Sequence, residues 1–144
     1  MQRIVVLGLS HKTAPVELRE RFAFTREELE HCLPVLASMP YVSECLVLAT
    51  CNRVEVYAVS EDAERCVETI KAFLSESRSI PVSEFSPYLY ASVGHMAVRH
   101  LYNVASGLDS MVVGEPQILG QIKDAYRTAY AKGTAGLILN RLCH

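Results

Sequence analysis

A thiol, an amide and a guanidinium follow one another at Cys51-Asn52-Arg53, between the Val- and Leu-rich runs ECLVLAT and VEVYAV. A thiol attacks only as its thiolate, and an unperturbed pKa of about 8.5 leaves a minority ionised at neutral pH. Arg53 brings a permanent positive charge two residues away. It can favour that thiolate, grip a ligand carboxylate with two parallel hydrogen bonds, or do both. Most free cysteines are small buried hydrophobes. Cys45, inside an apolar run, and Cys32 and Cys66, in helical patterns, fit that role, whereas the polar neighbours Thr50, Asn52 and Arg53 set Cys51 apart. Two further features carry polar groups at regular spacing. Gln117, Gln121 and Asp124 fall at i, i+4 and i+7, one stripe of a helix. His100 lies at the flank of an apolar helical face, where a histidine serves structure as readily as proton transfer, and His11 at the end of the first strand has the same two uses.

Those residues depend on the elements around them. RIVVLGLSH reads as a strand ending in a polar turn, and KTAPVELRERFAF as a short helix with Pro15 near its start. Thr25 and Glu28 stand at capping-box spacing and open a second helix, with Leu29, Cys32, Leu33 and Leu36 on one face and Pro34 inside. Two β-rich runs then meet at Cys51-Asn52-Arg53 as an antiparallel hairpin-like pair. SEDAERCVETIKAFLSES is an amphipathic helix, RSIPVSEF a loop and SPYLYASV a short fourth strand. This β-α-β-β-α-β order predicts an α+β, split-βαβ (ferredoxin-like) sandwich over residues 1–90. Additional C-terminal helices are expected over 91–144. One has Ala97, Leu101, Val104 and Leu108 on one face. Another spans about Glu115 to Lys132, with Pro116 in its first turn and Gly133 just past its end, and a third pattern carries Leu137, Leu139 and Leu142.

The chain has 144 residues, half of them apolar and 21% charged, enough for one domain with a real core. No run approaches the roughly 20 apolar residues of a membrane span, and the first residues read as a strand rather than a leader. A cytoplasmic location is the expectation. Five cysteines without C-x-x-C spacing argue against a disulfide framework or a zinc site. A net charge of −2 argues against gripping nucleic acid by bulk electrostatics.

Three long stretches carry a resemblance: GLSHKTAPVELRE, LATCNRVEVY and GLDSMVVGEPQILGQIKDAY. Together, over about residues 3–132, they resemble the N-terminal catalytic domain of glutamyl-tRNA reductase, the family that makes the first committed precursor of tetrapyrroles, and hence haem, by the five-carbon route. The resemblance implies that Cys51 attacks the glutamyl ester of charged tRNA and forms a thioester, which NADPH reduces to glutamate-1-semialdehyde. It carries the substrate-binding residues onto Thr50, Asn52, Arg53, Ser110, Glu115, Pro116, Gln117 and Gln121, and makes His100 a histidine important for activity. Charge complementarity pairs Arg53 with the substrate's side-chain carboxylate and Glu115 with its ammonium group. Family members continue into a nucleotide-binding domain and a helical dimerisation domain. With no G-x-G-x-x-G here, the expectation is a fragment that leaves NADPH to a missing domain, binds no metal, belongs to a homodimer and passes its product to an aminomutase.

Two other readings stand beside that one. A split-βαβ domain can be a non-enzymatic module that binds RNA or an effector, with Tyr57 and Tyr90 as the candidate stacking aromatics. A cysteine hydrolase would use Cys51 with His100 or His11 as base.

Overall fold

A computed structural model describes residues 1–107 and 117–143. Within them the chain forms four strands and seven helices. These are β1 (Arg3–Ser10), α1 (Val16–Arg21), α2 (Arg26–Ala37), β2 (Glu44–Ala49), β3 (Arg53–Ser60), α3 (Ala63–Arg78), α4 (Val82–Phe85), β4 (Tyr90–Val93), α5 (His95–Ala105), α6 (Gln117–Ala131) and α7 (Leu137–Cys143). The sheet has the order β2-β3-β1-β4, with each neighbouring pair antiparallel. Sequence-adjacent β1 and β2 are thus separated by β3, and the fold is of the mixed α/β class.

Local signals set most boundaries. At the start of α2 the Thr25 hydroxyl accepts from the Glu28 amide at 3.1 Å, and the Glu28 carboxylate accepts from the Thr25 amide at 2.9 Å. Asp62 caps α3 by accepting from the Arg65 amide at 3.1 Å. Pro34 lies within α2, close enough to its end that the helix continues only to Ala37. The stretch expected as a loop after α3 contains α4, a single turn entered through Pro81, whose ring pre-sets the required φ.

Paired residues share a face of the sheet, so the register separates two layers. Val5, Leu7 and Leu9 of β1 align with Ala58, Val56 and Val54 of β3, and Cys45, Val47 and Ala49 of β2 continue that face. The Cys45 thiol lies 3.8 Å from the Leu33 carbonyl, which sets this face against α2; α3 packs there too. Leu33, Leu36, Ile70 and Leu74 supply the helical side of the layer, each 2% exposed or less. Complete burial of such a side chain stabilises by about 1.5–3 kcal/mol. The opposite face is different: it carries Arg53, Glu55 and Tyr57, and His100 of α5 meets Glu55 there.

The β2 end of the sheet is closed by residues that follow α6. Thr134 accepts from the Cys45 amide at 2.9 Å through its carbonyl and donates from its hydroxyl to the Cys45 carbonyl at 3.0 Å. Glu44, one residue earlier, receives the amides of Gly136, Leu139 and Ile138 at 2.8, 2.9 and 3.2 Å. Its carboxylate lies so close to Gly136 that a β-carbon there would fall 2.8 Å from Glu44 Cδ. Among the described residues no helix is long and apolar enough to cross a membrane. Glu44→Ala leaves three amides without their acceptor and should cost about 1–3 kcal/mol in urea unfolding, with α7 losing amide protection first; an unchanged midpoint would show the clamp to be idle.

Candidate active site

The loop that joins β2 to β3 is three residues long, and its threonine holds it together. The Thr50 amide donates to the Arg53 carbonyl at 2.8 Å, while the Thr50 hydroxyl accepts from the amides of Asn52 and Arg53, both at 3.2 Å. The loop is also tied from outside. The His11 amide donates to the Asn52 carbonyl at 2.8 Å, and Arg19 Nη1 on α1 donates to the Cys51 carbonyl at 3.2 Å. Backbone on both sides of the thiol is therefore fixed, and the Cys51 side chain is left exposed.

Cys51 is the exposed member of the five cysteines; Cys45 and Cys66 are buried and Cys32 and Cys143 half-buried. Burial pushes the Cys45 thiol up to about 12 and the Cys143 thiol up to about 11. Burial also raises Cys66 and Cys32 above the ordinary thiol range. Around Cys51 a small cleft of about 30 Å³ is lined by Thr50, Asn52, Arg53, Gln117, Ile118 and Gln121. The amide stripe expected on α6 thus meets the hairpin loop: Gln117 and Gln121 are exposed, and Ile118 and Ile122 on the next face are buried. Ser110, Glu115 and Pro116 lie outside the described residues, as does Leu108.

Arg53 lines the cleft but is only 1% exposed. Its Nη1 donates to Glu55 Oε2 at 3.3 Å, so the guanidinium expected to meet a substrate carboxylate already meets one from its own strand. Glu55 is fully buried and collects several donors. The Tyr57 hydroxyl donates to Oε1 at 2.8 Å, the Tyr90 hydroxyl donates to Oε2 at 2.5 Å, and His100 Nε2 also bonds Oε2. Burial pushes the Glu55 carboxyl up. The hydrogen bond and charge of His100, the Tyr90 hydroxyl and Arg53 outweigh it and hold the carboxyl below its usual range. With a carboxylate as acceptor, His100 Nε2 carries the hydrogen, and in neutral imidazole Nδ1 is then the acceptor.

Glu55, Gly8 and Tyr90 form one row across three strands, since Gly8 aligns with Glu55 on one side and Tyr90 on the other. The glycine makes that row possible. A β-carbon at position 8 would lie 2.6 Å from the Val54 carbonyl oxygen and 2.8 Å from Glu55 Cγ. Without one, the Tyr90 hydroxyl reaches over the central strand to the carboxylate.

His100 therefore does not join Cys51 directly; it is linked to the thiol's loop through Glu55 and Arg53. Its ring lies 5.3 Å, centroid to centroid, from Tyr90. His11 borders the loop through its backbone amide. Tyr57 is 0% exposed, which removes it as a stacking platform for RNA bases. Glu55 and Arg19 were missed from the sequence. A signal existed for the first: Arg53, Glu55 and Tyr57 alternate with Val54 and Val56, so a charged pair shares one face of an otherwise apolar strand.

The comparisons with known proteins point the same way. The family profile described as "Glutamyl-tRNAGlu reductase, N-terminal domain" matches residues 7–144. The chain belongs to the glutamyl-tRNA reductase family. It is 52% identical over 141 residues to the glutamyl-tRNA reductase of Pelobacter propionicus, covering 98% of this chain and 32% of that protein. The counterpart from Geobacter sulfurreducens is 49% identical with the same coverage. The solved glutamyl-tRNA reductase of Methanopyrus kandleri superposes with a TM-score of 0.75 at 34% identity, over 97% of this chain and 31% of that one. This member thus spans about a third of the length of the relatives it matches.

The buried Glu55 cluster makes a stability prediction. Glu55→Gln leaves Arg53 with no counter-charge from its own strand and should cost about 3–5 kcal/mol at neutral pH. Because the folded carboxyl is held low, its contribution is complete above its unfolded value of about 4.3 and is lost as pH falls through the lower folded value. Denaturant midpoints between pH 7 and 2 should fall less steeply for the variant than for the parent chain; parallel acid limbs would contradict the assignment.

Proposed function

We propose that this domain performs the acyl-transfer half of glutamyl-tRNA reduction, with Cys51 as the nucleophile. The observation that carries the reading is an exposed thiol on a loop fixed from both sides, opening into a cleft with Arg53, Gln117 and Gln121. The thiolate sulfur bonds to the glutamyl carbonyl carbon, the bond from that carbon to the terminal ribose oxygen breaks, and the proton lost by the thiol ends on that oxygen. A thioester and free tRNA result. A thiolate is a strong nucleophile toward an activated ester, and the enzyme-bound thioester is easier to reduce than a carboxylate.

Thr50 and Asn52 shape the loop in this reading, and Gln117 and Gln121 offer neutral hydrogen-bond partners to a small polar amino acid. Arg53 presents charge at the cleft while Glu55 holds it in place. Ser110, Glu115 and Pro116 complete the substrate set by their place in the family motif. His100, oriented by Glu55 and Tyr90, serves as the acid, base or positioner that the motif gives it. The strand order supports the finer assignment of the sheet to the split-βαβ, ferredoxin-like class, with residues 1–90 as its core and 91–144 as its helical extension.

The family's NADPH does not fit the described residues. Dinucleotides bind where parallel strands diverge above a glycine-rich turn, and this sheet is antiparallel throughout. No part of the reduction is therefore assigned to these side chains. For the whole enzyme we read a cytoplasmic homodimer that reduces the thioester with NADPH and hands glutamate-1-semialdehyde to an aminomutase, on the strength of the family alone.

Incubation with glutamyl-tRNA carrying labelled glutamate should leave a hydroxylamine-sensitive label on the chain. Cys51→Ser should lower its rate of appearance at least about 10³-fold, the scale of losing a nucleophile, while Cys32→Ser keeps it. A Cys51→Ser chain that labels like the parent would refute the proposal.

A further inference from the structure

The peptide unit between Cys51 and Asn52 carries the α-carbon of the nucleophile, and it is held at both ends. A peptide unit is planar, so tethers on its N–H and its C=O together fix its orientation. The Asn52 amide of this unit donates to the Thr50 hydroxyl at 3.2 Å, and the Cys51 carbonyl accepts from Arg19 Nη1 at 3.2 Å. The first tether is local to the hairpin loop. The second comes from α1, 32 positions away in the chain. The next unit of the loop has a pair of its own: the Asn52 carbonyl receives the His11 amide at 2.8 Å, and the Arg53 amide donates to the Thr50 hydroxyl at 3.2 Å. Loss of Arg19 leaves the unit that bears the sulfur free to pivot about one bond, while the unit after it stays clamped.

Resting on the acyl-transfer reading above, we infer that Arg19 is a positioning residue for the Cys51 nucleophile. Three observations set it apart from an ordinary surface arginine. The helix that carries it is anchored. Leu18 is buried, Phe22 is 0% exposed and set edge-on against Phe85 with ring centroids 4.9 Å apart, and Arg21 pairs with Glu84 at 2.9 Å. The guanidinium is not drawn away by an acid: among the described residues no carboxylate pairs with Arg19, whereas Arg53 is met by Glu55. Finally, Arg19 Nε is buried without a hydrogen-bond partner. An orphaned donor lowers stability, and a methionine would bury the same apolar stem without one. A side chain that carries this cost and directs its bond at the nucleophile's own carbonyl serves the site rather than the fold. Attack requires the sulfur to meet the ester carbon along a set direction, and a misplacement of about 1 Å is worth about a hundredfold in rate. Half of the clamp survives without Arg19, so the loss should be smaller, about tenfold.

The test follows single-turnover acylation of the chain by glutamyl-tRNA over a range of substrate concentrations, beside urea unfolding and the rate at which iodoacetamide alkylates Cys51. Arg19→Met, which keeps the stem and removes the donor, should lower the saturating acylation rate about tenfold and leave the half-saturating concentration within about twofold. Its urea midpoint should not fall, because the orphaned Nε is removed together with the bond. Alkylation by a small reagent with no fixed approach should stay within about twofold. Arg19→Lys, which restores a charged donor, should recover the saturating rate to within about threefold of the parent. Arg21→Gln, on the same helix but in an exposed ion pair, should match the parent. If the methionine variant folds poorly, Arg19→Gln, too short to reach the carbonyl, should show the same tenfold loss. An unchanged saturating rate, a raised half-saturating concentration in its place, a midpoint that falls with the rate, or a parallel loss of alkylation would each overturn the positioning role while acyl transfer stands. If glutamyl-tRNA does not acylate Cys51 in the parent chain, the acyl-transfer reading falls and takes the role of Arg19 with it.

Discussion

The Glu55 carboxylate sits in the middle of the sheet, with Arg53, Tyr57, Tyr90 and His100 aimed at its two oxygens. A lone ionised carboxyl is costly to bury, and its presence on β3 forces the surrounding structure to supply donors. Two strands and a helix do so: β3 through Arg53 and Tyr57, β4 through Tyr90 and α5 through His100. The bare backbone of Gly8 on β1 lets them converge. One ionised group thereby fixes the orientation of the guanidinium beside the thiol and of the imidazole behind it. Neither has to be ordered by substrate, which reduces the entropy lost on binding.

The nucleophile is held differently. Nothing in its loop depends on the Cys51 side chain, because the hydrogen bonds that shape the loop run through the Thr50 hydroxyl and main-chain groups. Arg19 and His11 hold the carbonyls of Cys51 and Asn52. The sulfur is thus free of packing duties, unlike Cys45 and Cys66 in the core. This division of labour, a rigid frame carrying an uncommitted reactive atom, is what a site needs to hold geometry through a covalent step.

Much of this was legible in the sequence where local physics decides. The capping box at Thr25 and Glu28, the hairpin around Cys51-Asn52-Arg53, the buried Ile118, Ile122, Ala125 and Ala129 stripe of α6 and the exposed Gln117 and Gln121 all follow from short-range spacing. The single exposed position of Cys51 followed from its polar neighbours. What escaped was set by register. Glu55 looks like an ordinary polar residue of a strand until β1 and β4 are aligned beside it, and only then do Gly8 and Tyr90 gain meaning. Arg53 was read as a substrate partner because its internal counter-charge is two residues along the same face, a pairing that a strand's outward polar side also produces. Arg19 was hidden because contact between α1 and the hairpin spans 32 positions of chain. The helical turn of α4 was too short to leave a periodic pattern.

Thr134 occupies both main-chain groups of Cys45, and this has a consequence beyond local stability. An open strand border is where a sheet recruits further strands, from a partner or from a misfolded neighbour. Here one border is stoppered by the chain itself, and the other is β4, only four residues long. Growth of the sheet by strand addition has little to build on at either side. Whatever docks on this domain must therefore recognise side chains on helices and loops, and cannot simply continue the ladder.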